Sequence, residues 1–306
     1  MSGPSIVTEQ LASSRAQEGR FAGSTLSDYW ALTKPEVNFL ILITTAVGFY
    51  LGCGSEARPL SVISLFNTLL GTLLVASGTG TLNQYFEREF DAQMRRTARR
   101  PAAAGRLKPQ AVLVFGIALA AVGSVYLTAT VNGLASMLAV LTLLTYLFLY
   151  TPLKRKTPLC VFVGAFPGAV PPLIGWAAAS GRLSSEAWTL YAILFLWQFP
   201  HFMAIAWMYR EDYDRAGYLV LPKANARIPF VTLETLLPLL ALVAISMVQS
   251  PTRHAATFYC AGALLGLGFL YFGLAFVLRR SRSDARRLLA ASIVYLPLLF
   301  VLQAIL

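Results

Sequence analysis

The sequence predicts an all-α, polytopic membrane protein with nine transmembrane helices, and three observations predict it. Of 306 residues, 57% are hydrophobic and only 13% charged, apolar stretches recur along the whole chain, and the basic residues gather on alternate connections. So little charge cannot cover a soluble core, which makes the bilayer the solvent. The apolar stretches fall near 36–53, 61–82, 109–128, 131–150, 159–179, 186–209, 228–249, 255–278 and 287–306. Each is close to the roughly 20 residues that cross about 30 Å of hydrocarbon. Helices are expected, because backbone polar groups in lipid must bond within their own segment.

A formal charge of +11 raises the question of nucleic acid, but its distribution speaks for topology. Of 25 Lys and Arg, 22 precede the first span or lie in the 2–3, 4–5, 6–7 and 8–9 connections, against Arg58, Arg182 and Arg253 on the other side. That asymmetry places the N-terminus in the cytoplasm and the C-terminus outside, with no nucleic acid partner. Membrane lipid headgroups or a phosphorylated substrate are the expected anionic partners. Cys53, Cys160 and Cys260 have no paired spacing and read as small hydrophobes, not as a disulfide or zinc framework.

Residues 1–27 are polar and rich in Ser, Ala and Gly, and read as a mobile tail ahead of one membrane domain, 28–306. The tail lacks the apolar core of a signal peptide and the Arg-rich, acid-poor transit pattern, which favours a bacterial plasma membrane over a mitochondrial inner membrane. Two connections on the cytoplasmic side stand out: NQYFEREFDAQMRRTARRPAAAGRLKP from Asn83 and YREDYDRAGYLVLPKANAR from Tyr209. The fifth span carries Gly164, Pro167, Gly168, Pro171, Pro172 and Gly175, and the sixth carries Pro200 before His201. Proline frees the carbonyl four residues earlier, so breaks beside a cavity and plain packing kinks are the two readings.

Asn83, Glu87, Asp91 and Arg95 are spaced by four, which puts neighbours in the series on one helical face. Two carboxylates and an amide oxygen are hard ligands suited to Mg²⁺, whose other positions go to water and phosphate. A solvated helix end with Glu–Arg pairs is the competing reading. Asp212 and Asp214, with Glu211, form a second acidic cluster at the same membrane level. Arg95, Arg96, Arg99, Arg100, Lys154, Arg155 and Lys156 surround them in the sequence-derived topology, as a site for a metal-bound polyanion such as a diphosphate would require. His201 lies eleven positions before Asp212, about 16 Å along a straight helix, with Gln198 one turn further in. Glu234 stands inside the seventh span, where it faces a cavity, pairs with Arg227 or snorkels.

Six motifs in order, LTKPEV from Leu32, NQYFEREFDAQMRRTARRP from Asn83, YTPLKRKT from Tyr150, GAVPPLIGW from Gly168, WQFPHF from Trp197 and EDYDRAGYLVLP from Glu211, resemble the UbiA-type intramembrane prenyltransferases. The resemblance runs from Leu32 through the ninth span and is sharpest to the heme-prenylating branch. It implies a bundle around a central cavity opening near the cytoplasmic face, with Asn83, Glu87, Asp91 and Asp212 holding Mg²⁺. It further implies that Arg95, Arg96, Arg100, Lys154 and Arg155 grip the diphosphate, while Gln198 and His201 also bind substrate, His201 on the side of the acceptor. For His201, ligation of heme iron and a hydrogen bond to a heme substituent both stand open. The implied reaction joins heme B, farnesyl diphosphate and water into heme O and diphosphate, with handover to a heme A synthase or oxidase assembly. The sequence departs from the family pattern at Ala216, where a second aspartate is expected, at Glu36 in place of Arg, and at Cys160 in place of Asn. The rivals are a prenyltransferase for a quinone precursor or chlorin, and a transporter, whose charges would line both faces.

Overall fold

The computed structural model describes residues 25–55, 59–222, 224–248 and 255–305. Residues 1–24 of the expected tail, Arg58, Arg253 and His254 lie outside the described residues. Helix α1 (Thr25–Leu32) precedes the spans, starting three residues before the expected domain boundary. An ion pair of 2.9 Å from Asp28 to Arg106 and an edge contact of 4.9 Å between Tyr29 and Phe115 fasten it to the rest.

Among the described residues, nine helical segments are long and apolar enough to cross a membrane. They are α2 (Pro35–Ser55), α3 (Val62–Asp91), α4 (Pro109–Thr130), α5 (Gly133–Leu153), the pair α6 (Cys160–Gly168) and α7 (Pro171–Ser180), α8 (Ser185–Met208), α10 (Ala224–Ser246), α11 (Ala255–Arg279) and α12 (Arg282–Ile305). A short α9 (Arg210–Arg215) follows α8. The protein is an integral, multi-pass membrane protein. Consecutive helices pack side by side, and α8 closes the arrangement by packing on both α10 and α12.

The fifth span breaks at Ala169 and Val170, as its prolines suggest, and it is the most buried of the nine segments. It also approaches α2 most closely. A methyl group on Gly48 would overlap the carbonyl of Pro172, and one on Gly175 would overlap the carbonyl of Thr45. Small residues let helix backbones touch where lipid supplies no hydrophobic drive for helix association. Gly175→Val is therefore expected to destabilise by several kcal/mol (about 1–3 or more), because the obstructing atoms are backbone and have no rotamer to escape to. Gly54→Ala on the same helix as Gly48, with open space around it, should be near neutral. Thermal unfolding in detergent compares the two.

Two expectations fail here. Helix α8 runs unbroken through Pro200, and the chain turns instead at Tyr209, with φ −110° and ψ 18°, so His201 and Asp212 do not share one straight helix. The second span does not end near 82 but continues nine residues to Asp91, carrying the polar motif inside the bundle.

Candidate active site

Helix α3 ends with Asn83, Glu87 and Asp91 one turn apart on its packed face, only 1%, 5% and 1% exposed. Buried charges need partners, and each of these has one. Lys154 Nζ donates to Glu87 at 2.8 and 3.1 Å to its two oxygens, and Arg100 donates to Asp91 Oδ2 at 2.7 Å. Asn83 Nδ2 donates to Glu87 Oε2 at 2.9 Å and to Thr151 Oγ1 at 3.3 Å, while its Oδ1 accepts from Lys34 Nζ at 2.8 Å. A run from Lys34 through Asn83 and Glu87 to Lys154 thus crosses the end of the bundle.

Local backbone irregularities aim both lysines. Lys34 joins α1 to α2 with φ 54°, a conformation costly for a non-glycine residue and kept only where surroundings enforce it. Burial pulls its ammonium down to about 7, helped by the charges of Arg100 and Lys154 and opposed by those of Glu87 and Asp91. At the other end, α5 widens into a π-helical stretch, Thr145–Tyr150, a feature common at functional sites. It sets the Tyr150 and Tyr146 rings 4.6 and 5.9 Å from Lys154 Nζ. Burial works against the Lys154 charge, yet the Glu87 carboxylate holds its ammonium well above the ordinary range.

Three connections close over this cluster. Lys154 C=O accepts from the Leu219 amide at 2.6 Å. Arg96 donates to the Tyr213 hydroxyl at 3.3 Å and lies over the Tyr209 ring at 5.0 Å. Arg155 covers the Phe90 ring at 4.1 Å. Asp212, 8% exposed, accepts from Arg215 at 3.0 Å, and Arg215 reaches the Gln93 carbonyl at 3.4 Å. The partner of Asp212 is a base, not a second acid, and Asp214 pairs with Arg227 at 3.0 Å.

The structure therefore brings Asn83, Glu87, Asp91, Arg100 and Lys154 together, with Arg96, Arg155 and Asp212 at the rim. Arg95 does not join them: α3 ends at Asp91, the spacing-by-four stops there, and Arg95 is exposed. Among the described residues no three of His, Cys, Asp and Glu converge as a ready metal cage, because each acid is turned to a base. Gln198 is buried, its amide donating to the Ala165 and Leu194 carbonyls and its oxygen filling the space beside Gly168, so it seals the break between α6 and α7. His201 lies apart, bonded to Ser292 and stacked on Trp197. Arg227 is taken by Asp214 and the Pro222 carbonyl, and Glu234 Oε2 is left without a partner among the described residues. Of the positions that depart from the family pattern, Glu36 is exposed in the first turn of α2 and Cys160 is buried at the start of α6.

Sequence reasoning missed Lys34, Thr151, Tyr146, Tyr150 and Tyr218. The last is buried beside Glu87, and burial, reinforced by the Glu87 charge, pushes its phenol above the usual range. The Lys-Pro step at the start of α2 is the one local signal that pointed toward Lys34. An open apolar crease of about 1040 Å³ between α1 and α4, lined by Leu26, Tyr29, Trp30, Val114, Phe115 and Ala118, carries no charged group and is not this site.

Buried acids and bases grouped at one end of an apolar bundle define the class as an integral membrane enzyme. The profile of the UbiA prenyltransferase family matches residues 41–298, and the chain belongs to that family. A relative from Solibacter usitatus, a protoheme IX farnesyltransferase, is 45% identical over 285 residues, 91% of this chain and 98% of its own. Another protoheme IX farnesyltransferase, from Koribacter versatilis, is 41% identical over 98% of each chain. Among solved structures, a UbiA homolog from Archaeoglobus fulgidus bound to GPP and Mg²⁺ superposes with TM-score 0.64 at 14% identity, over 91% of this chain and 100% of that one. The apo UbiA homolog from Aeropyrum pernix K1 gives 0.63 at 20% identity, over 86% and 97%. These two likenesses concern the fold.

Proposed function

We propose that this chain transfers the farnesyl group of farnesyl diphosphate to a vinyl group of heme B, with addition of water, giving heme O and diphosphate. The observation that carries the reading is the buried Lys34–Asn83–Glu87–Lys154 run with Asp91 and Arg100 beside it, in a family member whose relatives are protoheme IX farnesyltransferases. The positive-inside bias supports a cytoplasmic placement of this end, and the membrane of this reading is a bacterial plasma membrane.

The donors fit Mg²⁺. Asn83, Glu87, Asp91 and Asp212 offer hard oxygens, and Mg²⁺ is typically held by one or two carboxylates plus substrate phosphate, with no need of a preformed cage. When bound, it supplies positive charge to the diphosphate oxygens. The bases now paired with the acids, Lys154 and Arg100, turn to phosphate as the substrate enters, with Lys34 behind them and Arg96 and Arg155 at the rim. Their charges stabilise the diphosphate as the allylic C–O bond breaks and the electron pair stays with oxygen. The vinyl group then supplies electrons to the farnesyl carbon, and water adds to the resulting cation with loss of a proton. The Tyr146 and Tyr150 faces present π-electron density beside this region.

Mass spectrometry of hemes extracted from cells with and without the chain tests the reading. Heme O should appear only with it; a farnesylated quinone precursor or chlorin in its place would overturn the heme assignment. A pH dependence follows from Lys34. In the free protein its ammonium is half lost near pH 7, whereas a bound diphosphate favours the charged form. Binding then takes up a proton above pH 7, so the KM for farnesyl diphosphate should rise with pH by up to about tenfold per unit. Lys34→Arg, which stays charged, should flatten that slope.

A further inference from the structure

Trp197, His201 and Ser292 form a polar set in the apolar part of the bundle, on α8 and α12. His201 Nδ1 lies 2.8 Å from Ser292 Oγ. Ser292 has a single hydroxyl proton, and its Oγ is 2.6 Å from the Leu289 carbonyl oxygen, which can only accept. The proton belongs to that bond, so Ser292 accepts from His201. The imidazole proton therefore sits on Nδ1, and the lone pair is left on Nε2. No described residue bonds Nε2. The ring is also held in place: Trp197 stacks on it at 4.5 Å with the planes 26° apart, and the Trp197 indole N–H donates to the Ser292 carbonyl at 2.8 Å.

An imidazole with Nδ1–H tied to an oxygen and Nε2 bare is the arrangement in which histidines ligate metals. The acceptor chemistry narrows what Nε2 can take. Vinyl groups and ionised propionates offer no hydrogen-bond donor, so the iron is the part of heme B that a lone pair can bind. Resting on the heme reading above, we propose that His201 Nε2 is an axial ligand of the acceptor's iron and that Ser292 is the positioning residue that fixes its tautomer. The acceptor is then anchored at its metal, apart from the diphosphate cluster.

The test uses full-length protein in lipid nanodiscs, with heme B and metal-free protoporphyrin IX as probes and the Soret band and resonance Raman spectrum as readouts. Wild type should show a histidine-ligated heme and bind heme B at least about tenfold tighter than the metal-free ring. His201→Ala should lose both properties, and added imidazole should restore the spectrum, which also shows that the variant is folded. Ser292→Ala should weaken the preference and shift the iron–imidazole stretch, whereas Ser292→Thr, which keeps a hydroxyl, should retain both. An unchanged spectrum and preference in His201→Ala would overturn the ligation, and Ser292→Ala identical to wild type would overturn the positioning role. Either result leaves heme farnesylation standing. Binding of neither probe by wild type, together with turnover of a different acceptor, would instead remove the heme reading itself.

Discussion

Asp91→Asn is expected to reduce turnover by about 10²–10³-fold or more while leaving the protein inserted and folded, since electrostatic support for a leaving oxyanion is of that order. The substitution keeps size and hydrogen-bonding capacity but removes the charge that faces Arg100 at 2.7 Å. Arg100, 27% exposed along its side chain, can turn to solvent, so the fold should survive. Asp212→Asn should lose activity similarly if Asp212 turns from Arg215 to the metal when diphosphate binds. The measurement is turnover against Mg²⁺ concentration, alongside thermal unfolding of each variant. Near wild-type activity at limiting Mg²⁺ would exclude that residue from the metal site. Loss of activity accompanied by loss of folded protein would mark a structural ion pair instead.

Hydropathy located the nine spans because lipid demands long apolar helices, whatever packs inside them. It misplaced the end of the second, since Asn83–Asp91 scores as a polar connection while Asn83, Glu87 and Asp91 within it are buried against Lys34, Lys154 and Arg100 from other parts of the chain. Glu87 and Lys154 are 67 positions apart, and no local pattern announces their pairing. The same limit hid Lys34, whose place depends on a left-handed backbone step and a contact 49 positions away. Proline marked the break in the fifth span but misled in the sixth: α8 passes through Pro200 and ends at Met208, where neither Gly nor Pro signals a stop. That turn removed the straight-helix relation between His201 and Asp212, and with it the distance estimate. The motif spacing of Asn83, Glu87 and Asp91 was legible because it depends only on helical periodicity.

Lys154→Ala is expected to raise the KM for farnesyl diphosphate by about ten- to a hundredfold, and far more than that for heme, because a charge-assisted bond to phosphate contributes ~1.5–3 kcal/mol. Arg96→Ala should have a smaller effect in the same direction. The sequence treats the two as equivalent bases from opposite connections, but the structure does not. Lys154, 14% exposed along its side chain, is enclosed by Glu87 and two tyrosine rings, whereas Arg96 is exposed and lies over Tyr209. A buried charge is poorly screened and gains most from a polyanion; an exposed one is screened by water and salt. Lys154→Ala also strands the Glu87 carboxylate, so Lys154→Arg and the double variant Lys154→Ala/Glu87→Gln are needed beside it. If the farnesyl diphosphate requirement recovers in the double variant, the lysine serves only to neutralise Glu87. If it stays higher than in Glu87→Gln alone while the protein unfolds as wild type does, the charge of Lys154 is the part that the diphosphate uses.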